Sequence, residues 1–185
     1  MGQTSKVKQY FGNCFKKKLL MQKGIIAICA LFLVLAISLP FYYWLHDKTG
    51  EIGRNPFWYI YITHNSGVGW SLLDGNYAAI YTILSVVFIL LTAVFILVTH
   101  DKITSSFVAL AMFGGLFNLI QRGASGTNAV LDYFQFGFWQ NFPVFNWPDM
   151  FVVIGVFGFV ISYIVLTIIE IVKEEKQKVK NEPKH

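Results

Sequence analysis

Four long apolar runs, separated by polar or mixed segments, set the pattern of the chain. Gly24–Leu45 has 22 residues, Ala78–Val98 has 21, Ile103–Ile120 has 18 and Phe151–Val172 has 22. The first two runs carry no charge. The third holds Thr104, Ser105, Ser106 and Asn118, and the fourth has one acid, Glu170, near its end. A hydrocarbon core of about 30 Å is crossed by roughly 20 apolar residues in helical form. Backbone polar groups in lipid must bond within their own segment. The pattern therefore predicts four transmembrane helices. The first run comes after a basic stretch, as in a secretory signal peptide, but it exceeds the h-region length of about 7–15 residues and is read as retained.

Two of the connecting segments are richer than ordinary linkers. Phe57–Thr63 is dense in aromatic and β-branched residues, which favours a strand. Gln135–Trp147 holds Phe136, Phe138, Trp139, Phe142, Phe145 and Trp147. Such rings belong either to an aromatic belt at the membrane–water boundary or to a platform that grips a substrate there. The expected fold class is an all-α membrane protein with four transmembrane helices, a small extracytoplasmic β-cradle and a loop or helix lid. Its parts are a basic arm (1–23), the membrane body (24–172) with long loops at 46–77 and 121–150, and a charged tail (173–185).

Composition and charge distribution agree with this picture. The chain is 55% apolar and 14% charged, against about 25% charged in soluble domains. A formal charge of +5 could suggest nucleic acid, but its placement argues otherwise. Lys6, Lys8, Lys16, Lys17, Lys18 and Lys23 precede the first span, Lys102 lies between the second and third, and Lys173, Lys176, Lys178, Lys180 and Lys184 come after the fourth. The two long loops contain only Lys48, Arg54 and Arg122. Lys and Arg accumulate on cytoplasmic sides, so both termini are expected in the cytoplasm, with the long loops outside. Cys14 and Cys29 support neither a disulfide framework nor a zinc site, and the four histidines lack metal spacing. No metal and no organic cofactor are expected.

The carboxylates narrow the chemistry. Asp132 and Asp149 both lie in the second outer loop, 17 residues apart, and Asp132 sits in an apolar setting, Ala129–Phe134. Acids near the hydrocarbon boundary are costly and face the bundle interior or water. Two of them at short range would share one proton, the aspartic-protease pattern. Other roles remain open on these residues alone. Asn146-Trp147-Pro148-Asp149 has the order of a helix start, with Asn as N-cap and an acid in the first turn. Asp132 could simply pair with Arg122. Gly114-Gly115 and Gly155-x-x-Gly158 mark places where helices approach closely. A transporter or channel needs ionisable groups in mid-span, and these spans have none away from their ends.

Taken together, several fragments resemble signal peptidase II, the lipoprotein signal peptidase of bacteria. His64–Ser71 is similar to that family's Asn-x-Gly-x-x-Phe-Ser stretch, and Phe117–Arg122 to its Gly-Asn-x-x-Asp-Arg motif. Val130–Tyr133 resembles Val-x-Asp-Phe, and Phe145–Asp149 resembles Phe-Asn-x-Ala-Asp, the two motifs that carry the family's catalytic aspartates. There are departures. Phe117 and Gln121 replace the Gly and Asp of the third-span motif, Trp70 replaces Phe, and Pro148 replaces Ala. The first span lacks the family's Asp-Gln pair and Lys, and Pro40 predicts a kink or an end to regular helix there.

The resemblance implies an intramembrane aspartyl endopeptidase that removes the signal peptide from diacylglyceryl-modified prolipoproteins by cleaving before the lipidated cysteine. Asp132 and Asp149 would be catalytic, and Asn65, Asn118, Arg122 and Asn146 substrate-binding. Its partners would be lipid-modified prolipoproteins and bilayer lipids, with no nucleic acid, and the chain would act as a monomer in the bacterial cytoplasmic membrane with its active site near the outer face. The alternative is a non-catalytic lipoprotein- or lipid-binding membrane protein on the same scaffold.

Overall fold

The computed structural model describes residues 8, 10, 12–66, 78–139 and 141–181. The Gly67–Ser71 part of the first outer-loop motif lies outside them. Four helices, α1 (Lys17–Leu45), α2 (Ala78–Val98), α3 (Lys102–Ala124) and α4 (Trp147–Asn181), are each long and apolar enough to cross a membrane. Three strands, β1 (Gly50–Arg54), β2 (Trp58–Asn65) and β3 (Val130–Phe136), form an antiparallel sheet in the order β1-β2-β3.

The helices outrun the apolar runs at their polar ends. α1 begins at Lys17 and α4 continues through the charged tail to Asn181, since lysines and glutamates are good helix formers once the segment has left the hydrocarbon. Pro40 does not end α1, which runs on for five residues to Leu45. The last turn of the helix is held by its packing on the sheet. Leu45 is fully buried with Ile60, Ile62, Leu131 and Tyr133 of the sheet, and Phe41 and Tyr42 pack on the same cluster. That packing outweighs the hydrogen bond that proline removes.

α3 is the central helix. It packs against α1, α2 and α4, whereas α2 and α4 meet each other at the rings of Phe95 and Phe159, whose centroids are 5.0 Å apart. Its interior position explains its polar residues. Ser105 bonds back to the Asp101 carbonyl, and Thr104 meets Ser162 of α4 at 3.2 Å. The outer faces of α1, α2 and α4 instead present Phe32, Leu91 and Phe157, each at least 65% exposed, as suits side chains solvated by lipid tails.

Glycine sets the α3–α4 approach. A Cβ on Gly155 would stand 2.5 Å from the Phe107 carbonyl oxygen and 2.6 Å from the Ala111 nitrogen, and one on Gly114 would stand 2.6 Å from the Pro148 carbonyl oxygen. Backbone atoms cannot yield as a flexible side chain can. Gly155→Ala is therefore expected to destabilise the helix pair by about 1–3 kcal/mol, read as a lower Tm in detergent. Gly123→Ala, with nothing within 4 Å of the added carbon, serves as the control.

Candidate active site

The sheet delivers the first carboxylate. A bulge in β2 between Ile60 and Thr63 sets the register that places Thr63 opposite Asp132 and Asn65 opposite Val130. Side chains alternate across a strand, so Leu131 and Tyr133 enter the core with Leu45, while Val130 and Asp132 face a cavity on the other side. Asn65 is the diagonal neighbour of Asp132 on that face, and its Nδ2 donates to Asp132 Oδ2 at 2.8 Å.

The second carboxylate comes from the start of α4. The Asp149 N–H donates to Asn146 Oδ1 at 2.9 Å, and the Asn146 N–H donates to Asp149 Oδ2 at 3.0 Å. This is a capping box with Asn at the N-cap and Asp at the third helical position. Capping uses only one of the Asp149 oxygens. The other, Oδ1, accepts from Asn118 Nδ2 at 2.7 Å.

Asn146 closes the network. Its Nδ2 group donates to Asp132 Oδ1 at 2.9 Å and to Asn118 Oδ1 at 3.1 Å, with the Leu131 carbonyl at 3.3 Å. Asn146 thus touches both carboxylates, Asp132 through its side chain and Asp149 through its backbone. Asn118 links the same amide to Asp149 a second time. Asp132 is 2% exposed and Asn146 is fully buried, whereas Asp149 is half-buried. Burial raises the Asp132 carboxyl well above the usual carboxylate range, and the nearby Asp149 charge pushes it the same way. Hydrogen bonds from Asn65 and Asn146 and the Arg122 charge oppose the shift. Burial also raises the Tyr133 hydroxyl, which accepts the Trp147 N–H at the head of α4.

Arg122 is buried but does not pair directly with Asp132. Among the described residues the one ion pair joins His46 and Asp47. The Arg122 Nη1 group donates to the carbonyls of Asn128 at 3.2 Å and Ser66 at 3.3 Å, and its guanidinium lies over the Tyr81 ring. It fastens the two loops that flank the cavity. Asn128, with φ of +56°, adopts the left-handed turn conformation that Asn tolerates.

Asn65, Asn118, Arg122, Asp132 and Asp149 all line a cavity of about 490 Å³ between α2, α3, α4 and the sheet. Most of its remaining wall is apolar, with Leu84 and Phe88 from α2, Val152 and Val153 from α4, and Phe142–Phe145 from the segment before α4, while Tyr81 and Ser85 of α2 add hydroxyls. That segment is a loop tied to the sheet by a bridge between Phe145 and Phe134, with no helical turn among its described residues. Its rings divide. Phe136, Phe142 and Phe145 cluster together, the latter two lining the cavity, whereas Phe138 and Trp139 are exposed.

Some participants carry little signal in the sequence. Tyr81 and Phe88 look like ordinary span residues, although a tyrosine within an aliphatic run is a signal. Gln121 offers its Oε1 to the Leu131 N–H at 3.1 Å, anchoring β3 one residue before Asp132. Gln121 thus spends its neutral hydrogen bond on the strand.

A model of the signal peptidase II family, described as "Signal peptidase (SPase) II", matches residues 26–165. The chain belongs to the signal peptidase II family. Relatives named lipoprotein signal peptidase include one from Malacoplasma penetrans, 35% identical over 90% of this chain and 73% of its own length. Another, from Mycoplasmoides gallisepticum, is 30% identical over 94% of this chain and 59% of its own. The fold is similar to that of two bacterial membrane enzymes solved by the in meso method. One, at 2.3 Å resolution, gives a TM-score of 0.65 at 20% identity, covering 88% of this chain and 93% of that one. The other, at 1.9 Å, gives 0.61 at 22% identity, covering 76% and 91%. Four spans, a three-stranded sheet and membership in this family make the chain a multi-pass bacterial membrane protein and a lipoprotein signal peptidase in kind.

Proposed function

We propose that the chain is an aspartyl endopeptidase that releases the signal peptide from diacylglyceryl-modified prolipoproteins by hydrolysing the bond before the lipidated cysteine. One observation carries this reading. Two carboxylates, joined through Asn146 and Asn118, open on a single cavity whose apolar wall continues along the membrane helices. Lipid tails hold the substrate at a fixed depth, so a scissile bond next to the lipidated residue reaches carboxylates standing where the spans meet the sheet.

In this mechanism the pair holds one proton. The ionised carboxylate takes a proton from water, and the resulting hydroxide attacks the scissile carbonyl. The protonated partner hydrogen-bonds the carbonyl oxygen and stabilises the tetrahedral species. Collapse breaks the C–N bond, and a carboxyl proton passes to the leaving amine. Asn65, Asn118 and Arg122, which line the cavity, contact the substrate backbone and lipid ester region. Asn146 is buried beneath them and acts through the two carboxylates as a positioning residue. The Lys and Arg distribution supports cytoplasmic termini and a site near the outer face. No observation favours the non-catalytic alternative.

The pH dependence derives from Asp132. A free Asp titrates near 3.9, whereas the buried Asp132 keeps its proton to higher pH. The alkaline limb of activity on a lipidated precursor is expected well above 3.9. The sign for stability is the same. The fold favours the neutral acid, so this contribution is full below the unfolded value and is lost as pH rises through the raised one. Asp132→Asn, a permanently neutral stand-in, is expected to flatten the fall of Tm with rising pH. A wild-type limb at ordinary carboxylate pH would contradict the reading.

A further inference from the structure

The α2 wall of the cavity carries a polar group that the carboxylate network leaves out. Two contacts fix how α2 lies on α3. At the outer end the Arg122 guanidinium lies over the Tyr81 ring, 5.7 Å from its centroid. Deeper in, the Phe88 ring rests on Gly115, where an added Cβ would stand 3.2 Å from it. The helices are antiparallel neighbours. Ser85, four residues past Tyr81 and three before Phe88, therefore stands opposite Asn118, which is four residues before Arg122 and three after Gly115. Residues at those spacings share one face of a helix, and all six line the cavity. Asn118 donates to Asp149 at 2.7 Å. Ser85 thus faces the carboxylate network from across the cavity, at the depth of the network itself.

Its hydroxyl is uncommitted. Thr92, Ser105, Ser106, Ser162 and Thr167 each donate to a carbonyl three or four residues back, the common way for a hydroxyl to be satisfied inside a helix. Ser85 makes no such bond, and among the described residues its hydroxyl has no partner. A hydroxyl left unpaired against apolar surroundings is costly, and a bound molecule with an acceptor would remove that cost. Beside it, Leu84 and Phe88 can only pack. The carboxylates accept, so they draw the N–H groups of a peptide lying across them, whereas its carbonyl oxygens need a donor. We infer that Ser85 is a substrate-binding residue whose hydroxyl donates to a carbonyl oxygen of the bound precursor and holds it against the carboxylates from the α2 side. Two carbonyls have this chemistry, a peptide carbonyl beside the scissile bond and an ester carbonyl of the diacylglyceryl group. The inference rests on the proteolytic reading of the carboxylate site.

The test uses the full chain in lipid with two precursors, one bearing the diacylglyceryl group and one a dialkylglyceryl ether, which has no ester carbonyl. Ser85→Ala is expected to raise KM for the ester precursor about two- to tenfold, the range of one neutral hydrogen bond, with kcat and Tm close to wild type. An equal rise for the ether precursor assigns the bond to a peptide carbonyl. An ether precursor that already has the higher KM with wild type, and that Ser85→Ala leaves unchanged, assigns it to the ester. Thr92→Ala is the control, two turns along the same face of α2, because its hydroxyl is already bonded within the helix. An unchanged KM for the ester precursor in Ser85→Ala, or a rise of the same size in Thr92→Ala, would overturn the assignment. Asp132→Asn in the same assay separates the two readings. Its inactivity beside an unaffected Ser85→Ala removes the Ser85 contact alone, and its full activity would remove the proteolytic site.

Discussion

Asp132→Asn and Asp149→Asn are each expected to lower cleavage of a lipidated precursor by about 10²- to 10⁴-fold, the usual contribution of a positioned acid or base. Both variants should insert and purify normally. Asn is nearly the same size as Asp and carries no charge to bury, although at position 132 its NH2 group replaces one of two oxygens that accept from Asn65 and Asn146, at the cost of one of those hydrogen bonds. At position 149 the carboxylate also accepts the Asn146 N–H, and an Asn oxygen can still accept it. Stability should therefore change far less than rate. The two losses should not multiply, because one proton shared by two groups is a single device. The double variant is expected to be about as inactive as either single one. Full activity in either single variant would rule out the pair.

Asn146 gives the next largest effect, and two substitutions separate its roles. Ser caps a helix about as well as Asn, while Ala does not. Neither can bridge Asp132 and Asn118 as the Asn146 amide does. Asn146→Ser and Asn146→Ala should lose activity by a similar factor, about 10²-fold, the scale of a catalytic group displaced by roughly 1 Å. In stability they should differ, with Ser better by about 1 kcal/mol. The Asn146 amide favours the ionised form of Asp132, so its loss should move the alkaline limb of residual activity to higher pH. A purely capping Asn would leave activity and the pH profile of Asn146→Ser as in wild type.

The spans are more legible in the sequence than the site. Runs such as Gly24–Leu45 and Ala78–Val98 admit one reading, since uninterrupted apolar stretches of that length fit a bilayer and little else. Helix ends are less visible because they lie outside the hydrocarbon, where Lys17 or Glu175 signals nothing about termination. The continuation of α1 past Pro40 is equally hidden, since the sheet contacts that carry the helix on to Leu45 are remote in sequence. β2 is visible in Phe57–Thr63, but β3 is not. Val130–Tyr133 is buried on both faces, which erases the alternation of apolar and polar residues that betrays a strand. For Asn146 and Asp149, capping and membership of the carboxylate network look like competing roles in the sequence. The structure satisfies both, because a carboxylate has two oxygens and an asparagine has both an amide and a backbone N–H.

The protein's own side chains supply every link in the Asn65–Asp132–Asn146–Asn118–Asp149 chain of hydrogen bonds. Immobilising such side chains costs up to about 1–2 kcal/mol of entropy each, and folding has already met that cost. In the proposed mechanism, an arriving peptide would find the acids aimed and would spend none of its binding energy on reorganising them. Rate would then depend chiefly on how quickly a tethered precursor finds the cavity by lateral diffusion.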